Sequence, residues 1–296
     1  MRRVGLVLTV VLAWLTVSAA PSGAITGNYV EDFEHPYVGL VAFYDEEGEF
    51  SHRCSGSLLT PSIFLTAGHC TEGATTARVW FQQDAGANYD PETQLDPVTG
   101  YPDLCAAGTL GTLCATSDEL FNYGFDNFAG FPDTHDAGLV ILDQPIAMPE
   151  YGELAAPGTL DELATSRGLR DLTITASGYG LSYSSPVAVE SFRSRLMAEG
   201  KIANLRSFNN NGFNVQTVGN GKGRGGTCSG DSGGPVFLGG FESNLIVAVT
   251  SFGMNAYCRG VDFAYRTDTV AVQDWIFDTV AGTSAADEAD DIVIVP

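Results

Sequence analysis

Cys228-Ser229-Gly230-Asp231-Ser232-Gly233-Gly234-Pro235 gathers a candidate nucleophile, a carboxylate and four glycine or proline positions into eight residues. Glycine tolerates backbone angles closed to other residues, so the chain can turn tightly around the Ser232 hydroxyl. Such a turn can aim the N–H groups of Gly230 and Ser232 at one point, which is how an oxyanion hole is built. Read alone, the stretch is equally a Gly/Ser-rich surface turn. What separates the two readings is whether a base and an orienting carboxylate exist elsewhere in the chain.

Two upstream segments supply them. Thr66-Ala67-Gly68-His69-Cys70 follows the apolar Ile63-Phe64-Leu65, and His135-Asp136-Ala137-Gly138 leads into the apolar Leu139-Val140-Ile141-Leu142. Only four histidines exist, so a His in such a setting narrows the choice quickly. In the order His, Asp, Ser, the three segments resemble the T-A-x-H-C, D-I-A-L-L and G-D-S-G-G-P strings of the chymotrypsin/trypsin-like serine proteases, here of a secreted, bacterial type. The resemblance implies His69 as general base, Asp136 as the carboxylate that orients it and Ser232 as nucleophile, because a serine hydroxyl needs a neutral imidazole to take its proton. It places the oxyanion hole at the N–H groups of Gly230 and Ser232.

The fold implied is all-β: two six-stranded antiparallel β-barrels with a C-terminal α-helix. Residues 25–281 would form the protease domain, with the first barrel over about 25–145, the second over about 160–266 and the helix over about 268–280. Apolar-periodic residues around Asp274-Trp275-Ile276 fit the helix, from about Val270 to Val280. Residues 282–296 are small and acidic until Ile292-Val293-Ile294-Val295, and read as a disordered tail whose last apolar residues would pack on the barrel.

The six cysteines point to an oxidising compartment. By resemblance, Cys54 pairs with Cys70 beneath the histidine, and Cys228 with Cys258 across the walls of the primary specificity pocket. Cys105 and Cys114 have no counterpart in the family and are expected to pair with each other. They lie in an insertion, about Gln82 to Phe131, where the excess over the family's usual length falls in the 67-position separation of His69 and Asp136. Asp84, Asp90, Glu92, Asp96 and Asp103 of this insertion could gather Ca²⁺, although no regular ligand spacing appears and a solvated acidic loop is the reading favoured. No cofactor and no other metal are expected.

Charged residues are 17% of the chain and the formal charge is −22 with only 14 Lys and Arg, which argues against a nucleic-acid partner. Met1-Arg2-Arg3 followed by apolar Val4 to Val17 reads as a secretory signal within residues 1–24. Fourteen helical residues span about 21 Å, short of a bilayer core of about 30 Å. A secreted, extracellular protein with no membrane attachment after signal cleavage follows. Ile25-Thr26-Gly27-Asn28 resembles the family's I-x-G-G mature start, with Asn28 in place of the second Gly. The resemblance pairs the new Ile25 ammonium with Asp231. Cleavage after Ala24 would expose Ile25 directly, whereas cleavage after Ala20 would leave Pro21 to Ala24 as a short propeptide.

The resemblance puts Gly226 at the pocket floor, with Thr227, Ser229, Ser251, Phe252 and Gly253 completing the substrate-binding surface. Without a carboxylate at Gly226 the expected side chain before the scissile bond is apolar, or the preference broad; Asp262 on the opposite wall would restore attraction for basic side chains. Expected partners are a protein or peptide substrate and a proteinaceous inhibitor, on a monomer. Two other functions stay open: a non-catalytic binding module on the same fold, and a secreted esterase, whose usual fold orders the triad Ser, Asp, His instead.

Overall fold

The computed structural model describes residues 25–85, 92–94, 113–164, 172–191, 193–219 and 223–296. The reading of residues 1–24 as a signal, and the pairing of Cys105 with Cys114, fall outside the described residues. Among the described residues, no helix is long and apolar enough to cross a membrane.

Seven strands make the first barrel: β1 (Val38–Tyr44), β2 (Phe50–Leu58), β3 (Ile63–Thr66), β4 (Thr76–Trp80), β5 (Cys114–Ser117), β6 (Glu119–Asn122) and β7 (Gly138–Ile141). They are hydrogen-bonded in the order β5-β4-β1-β2-β3-β7-β6, all antiparallel. The two ends of that order, β5 and β6, are separated in the chain by Asp118 alone. One bent strand therefore closes the ring, and the Ser117 hydroxyl on its β5 half donates to the Ile141 carbonyl of β7 at 2.5 Å. Inside, Phe64 leaves so little room that a Cβ on Gly56 would lie 2.3 Å from its ring. Close packing of this kind makes the position intolerant of any side chain.

After β8 (Glu153–Ala155), the second barrel uses β9 (Thr173–Gly178), β10 (Leu196–Asn204), β11 (Asn214–Val218), β12 (Pro235–Leu238), β13 (Leu245–Gly253) and β14 (Val261–Arg266). Their order is β12-β9-β10-β11-β14-β13, and β13 pairs back onto β12, so six antiparallel strands close on themselves. The two-barrel expectation holds. A helix over Val270–Val280 follows, its first turn capped by the Thr269 side chain, with Val272, Ile276 and Val280 buried at helical spacing.

The tail is ordered rather than disordered, while its last apolar residues do pack on the barrel as expected. Residues Ala286–Asp291 form a 3-10 helix, and the Glu288 carboxylate accepts from the Thr60 hydroxyl at 2.6 Å and from the Ser62 N–H at 2.9 Å. Ile292 is buried, and β15 (Ile294–Val295) adds in parallel to β8, which itself lies parallel to β13. Composition misled here, because an otherwise acidic surface segment can still be fixed by one well-placed carboxylate and a free sheet edge. Glu288→Ala is expected to lower unfolding free energy by about 1–2 kcal/mol, since it removes one charge-assisted acceptor from two donors. A urea titration with an unchanged midpoint would contradict this role.

Candidate active site

His69 stands on the short helix Gly68–Thr71 that follows β3. Asp136, fully buried, immediately precedes β7 by two residues, and β7 pairs with β3. The two side chains are thus brought together by neighbouring strands of one barrel. Asp136 Oδ1 accepts the His69 backbone N–H at 2.7 Å, and Oδ2 lies 2.9 Å from His69 Nδ1. An ionised carboxylate can only accept, so Nδ1 carries the proton and Nε2 keeps its lone pair. Oδ2 also accepts the Ser251 hydroxyl, which comes from β13 of the other barrel.

Ser232 sits on the turn between the Cys228–Cys258 disulfide and β12. Gly230 and Gly233 adopt φ of +97° and +76°, the left-handed region that favours glycine. Three bonds hold the turn against the first barrel and β13. The Ser55 N–H donates to the Ser232 carbonyl at 2.8 Å, the Ser55 hydroxyl to the Gly230 carbonyl at 2.8 Å, and the Gly233 N–H to the Thr250 carbonyl at 2.7 Å. Among the described residues, the N–H groups of Gly230 and Ser232 form no hydrogen bond. Nor does a hydrogen bond join Ser232 to His69; such contacts commonly tighten only with substrate in place.

A cavity of about 420 Å³ opens beside Ser232, lined by Thr227, Ser229, Ser251, Phe252 and Gly253 among others. Gly226 lies instead on an adjoining cavity of about 330 Å³, together with Thr26 and Gly27. Asp262 borders both, placed by its pairing with Gly253 across β13 and β14. Its Oδ2 accepts the Thr227 N–H at 2.9 Å, and burial raises its pKa above the usual carboxylate range. Phe252 stacks on Phe263 and meets the half-exposed rings of Phe128 and Phe131 edge-on.

Asp231 is fully buried, its oxygens accepting the N–H of Gly180 at 2.7 Å and of Cys228 at 2.9 Å. Burial pushes its pKa up to about 7 despite those bonds and the nearby Arg53 charge. Ile25 is also fully buried, packed with Ala176 on β9 and Leu196 and Ala198 on β10. Since a Cβ on Gly178 at the end of β9 would lie 2.5 Å from Asp231 Oδ1, both residues lie against the same strand. Cys54 and Cys70 are joined, as are Cys228 and Cys258. Of the acidic insertion, Asp84 lies 3.9 Å from Arg193 Nε, whereas Asp90, Asp96 and Asp103 fall outside the described residues.

Sequence reasoning missed the role of Ser55, a polar side chain in the buried half of its strand. It also assigned Ser251 to the substrate surface alone.

A profile of the family described as Trypsin matches residues 24–104 and 118–276. The chain belongs to the trypsin family. Among its trypsin-family relatives, CLIP domain-containing serine protease B10 of Anopheles gambiae is 28% identical over 268 residues, covering 85% of this chain and 68% of that protein. Serine protease 7 of Drosophila melanogaster is 26% identical over 86% of this chain and 64% of its own length. The chain thus spans about two thirds of those insect proteins. Chymotrypsin-like elastase family member 3B of Homo sapiens is 25% identical over 80% of this chain and 82% of that protein. These are animal proteins, and they carry the family without the bacterial type expected from sequence. Two solved structures share the fold over 88% of the chain. HL collagenase does so with a TM-score of 0.58 at 18% identity over 98% of its chain, and a scabies mite inactivated protease paralogue with 0.59 at 15% over 97%.

Proposed function

We propose that this trypsin-family chain is a secreted serine endopeptidase that cleaves proteins or peptides through an acyl-enzyme. The observation that carries the reading is Asp136, buried between His69 and Ser251, together with the Ser232 turn that Ser55 binds to the same barrel and whose two N–H groups are unengaged among the described residues. In this reading Ser232 Oγ attacks the scissile carbonyl carbon as its proton passes to His69 Nε2. The carbonyl oxygen takes the negative charge toward the N–H groups of Gly230 and Ser232. Collapse of the tetrahedral adduct breaks the C–N bond, the Nε2 proton leaves with the amine, and water repeats the sequence to release the acid. Ile25, once an amino terminus, supplies the ammonium that neutralises Asp231.

The cavity beside Ser232 favours apolar side chains or a broad range, with Asp262 the carboxylate on its wall. Because burial raises the Asp262 pKa, its charge develops only as pH rises through that raised value. The ratio of kcat/KM for a Lys over a Leu side chain before the scissile bond is therefore expected to climb with pH, beyond the ordinary carboxylate range. Asp262→Asn should flatten the climb; a ratio equally pH-dependent in that variant would remove Asp262 from specificity.

Protein starting at Ile25 is expected to react stoichiometrically with a fluorophosphonate and to lose labelling in Ser232→Ala. Folded protein with an Ile25 terminus that does not label would point to the non-catalytic reading, and hydrolysis of esters without peptides to the esterase. A monomer is expected in sedimentation.

A further inference from the structure

A third cavity, of about 210 Å³, shares no lining residue with the two beside Ser232 and Gly226. Tyr123, Phe213 and Tyr265 line it together with Asp133, Asp161 and Arg266. Both barrels contribute: Tyr123 follows β6 and Asp133 lies three residues before Asp136, whereas Phe213 precedes β11 and Tyr265 is on β14. Asp161 stands on the short helix Thr159–Ala164. The ring centroids of Tyr123 and Tyr265 are 6.4 Å apart, and the Tyr265 hydroxyl donates to Asp133 Oδ1 at 2.8 Å, which fixes that carboxylate beside the aromatic pair.

The charges in the wall do not cancel. Arg266, nearly fully buried, gives Nε and Nη2 to the two oxygens of the buried Asp268 at 2.8 and 2.9 Å. Its Nη1 donates to the Gly212 carbonyl at 2.8 Å and to Asp161 Oδ1 at 3.1 Å. Asp268 balances the guanidinium charge, which leaves Asp133 and Asp161 in excess. Their other neighbours are weaker: Arg206 Nη2 lies 3.8 Å from Asp161 Oδ1 at an exposed position, and His135 Nε2 lies 3.5 Å from Asp133 Oδ2. Among the described residues, Asp161 Oδ2 accepts no hydrogen bond. A hard metal ion takes about six to eight oxygen ligands, and three of the six residues named are aromatic instead. An organic cation suits both halves of the wall, since its charge is drawn to carboxylates and to aromatic rings within about 6 Å. The volume is below the roughly 300–1,000 Å³ of pockets for drug-sized ligands, so one small group fills it.

We propose that this cavity binds an organic cation, an ammonium or guanidinium on a short apolar stem, with the charge held by Asp133 and Asp161 and the stem by Tyr123, Phe213 and Tyr265. Its source is either a free amine or a basic side chain displayed by a protein. The net charge of −22 draws both toward the molecule. The site stands apart from the endopeptidase reading and is tested without hydrolysis.

n-Butylammonium is titrated at low salt into the Ser232→Ala protein while the backbone amide signals of Gly212 and Ala271, which also line the cavity, are followed by NMR; n-butanol is the uncharged counterpart. A saturable shift with a Kd of about 1–10 mM is expected for the ammonium, the range open to so small a ligand, and binding at least about fivefold weaker for the alcohol. Asp133→Asn and Asp161→Asn should each weaken the ammonium by about two- to fivefold, and Tyr123→Leu by a similar factor. Asparagine keeps an acceptor oxygen at both partly exposed positions, so urea midpoints should stay near that of the parent protein. Asp262→Asn, which alters the other two cavities, should leave the constant unchanged. Equal affinity for n-butanol, undiminished binding in the Asp133→Asn, Asp161→Asn double variant, or loss of binding in Asp262→Asn would overturn the proposal. Tighter binding of acetyl-Gly-Gly-Lys-Gly-Gly amide than of n-butylammonium, lost when the lysine is acetylated, would support a protein-borne source; no gain from the peptide would support a free amine.

Discussion

Replacing Asp136 by Asn is expected to lower kcat/KM on peptides by about 10⁴-fold while the protein stays folded. The amide oxygen can still accept the His69 backbone N–H, but the amide NH₂ faces Nδ1 and donates to it. That forces the imidazole proton onto Nε2, the atom that must be free to take the Ser232 proton. The Ser251 hydroxyl can rotate to accept rather than donate, so packing around the fully buried side chain survives. A urea midpoint near that of wild type, beside a collapsed rate, would separate tautomer from stability. A loss below about tenfold would mean that His69 does not work as a base from this geometry.

Gly233→Ala is expected to be far more damaging than a methyl group suggests, costing at least about 4 kcal/mol and leaving little folded protein. The new Cβ would stand 2.1 Å from Thr66 Oγ1, 2.6 Å from the Ser55 carbonyl and 2.7 Å from the Ala67 N–H, at φ of +76°. Two of those three neighbours are backbone, so no rotamer change relieves the overlap. Gly48→Ala supplies the control. Its φ is +79° but nothing lies within 4 Å, so only the backbone strain of about 1 kcal/mol remains. Similar urea midpoints for the two variants would refute the steric account.

The three segments of the candidate site were legible because each joins a reactive side chain to local chemistry that fixes its backbone: glycines about Ser232, a cysteine after His69, an apolar strand after Asp136. Asp262 was weighed from sequence, but its position needed the β13 to β14 register, which a short loop from Cys258 obscured. The interior polar network was not legible at all. Arg195, nearly fully buried, donates to the carbonyls of Asp32, Val38 and Phe81 and to the Tyr179 hydroxyl. Asp32 in turn faces His35 and Ser177. The stretch from Asp32 to Val38 is far in the chain from Phe81, Ser177, Tyr179 and Arg195, and no periodic signature links them, so only the folded barrels bring them together. The disorder expected of the tail was wrong for the opposite reason: its composition was plain, and its order comes from Glu288 and a sheet edge that lies far away in the chain.

Ser55 belongs to one barrel and holds the nucleophile turn of the other, and Ser251 does the same in reverse for Asp136. Neither half of the molecule owns the candidate site. On the proposed endopeptidase reading, hydrolytic rate is accordingly a gauge of how well two separately closed cylinders are seated on each other. Heating or mild denaturant should extinguish it when the seam slips by a fraction of an ångström, while the circular dichroism of both cylinders is still that of the native protein.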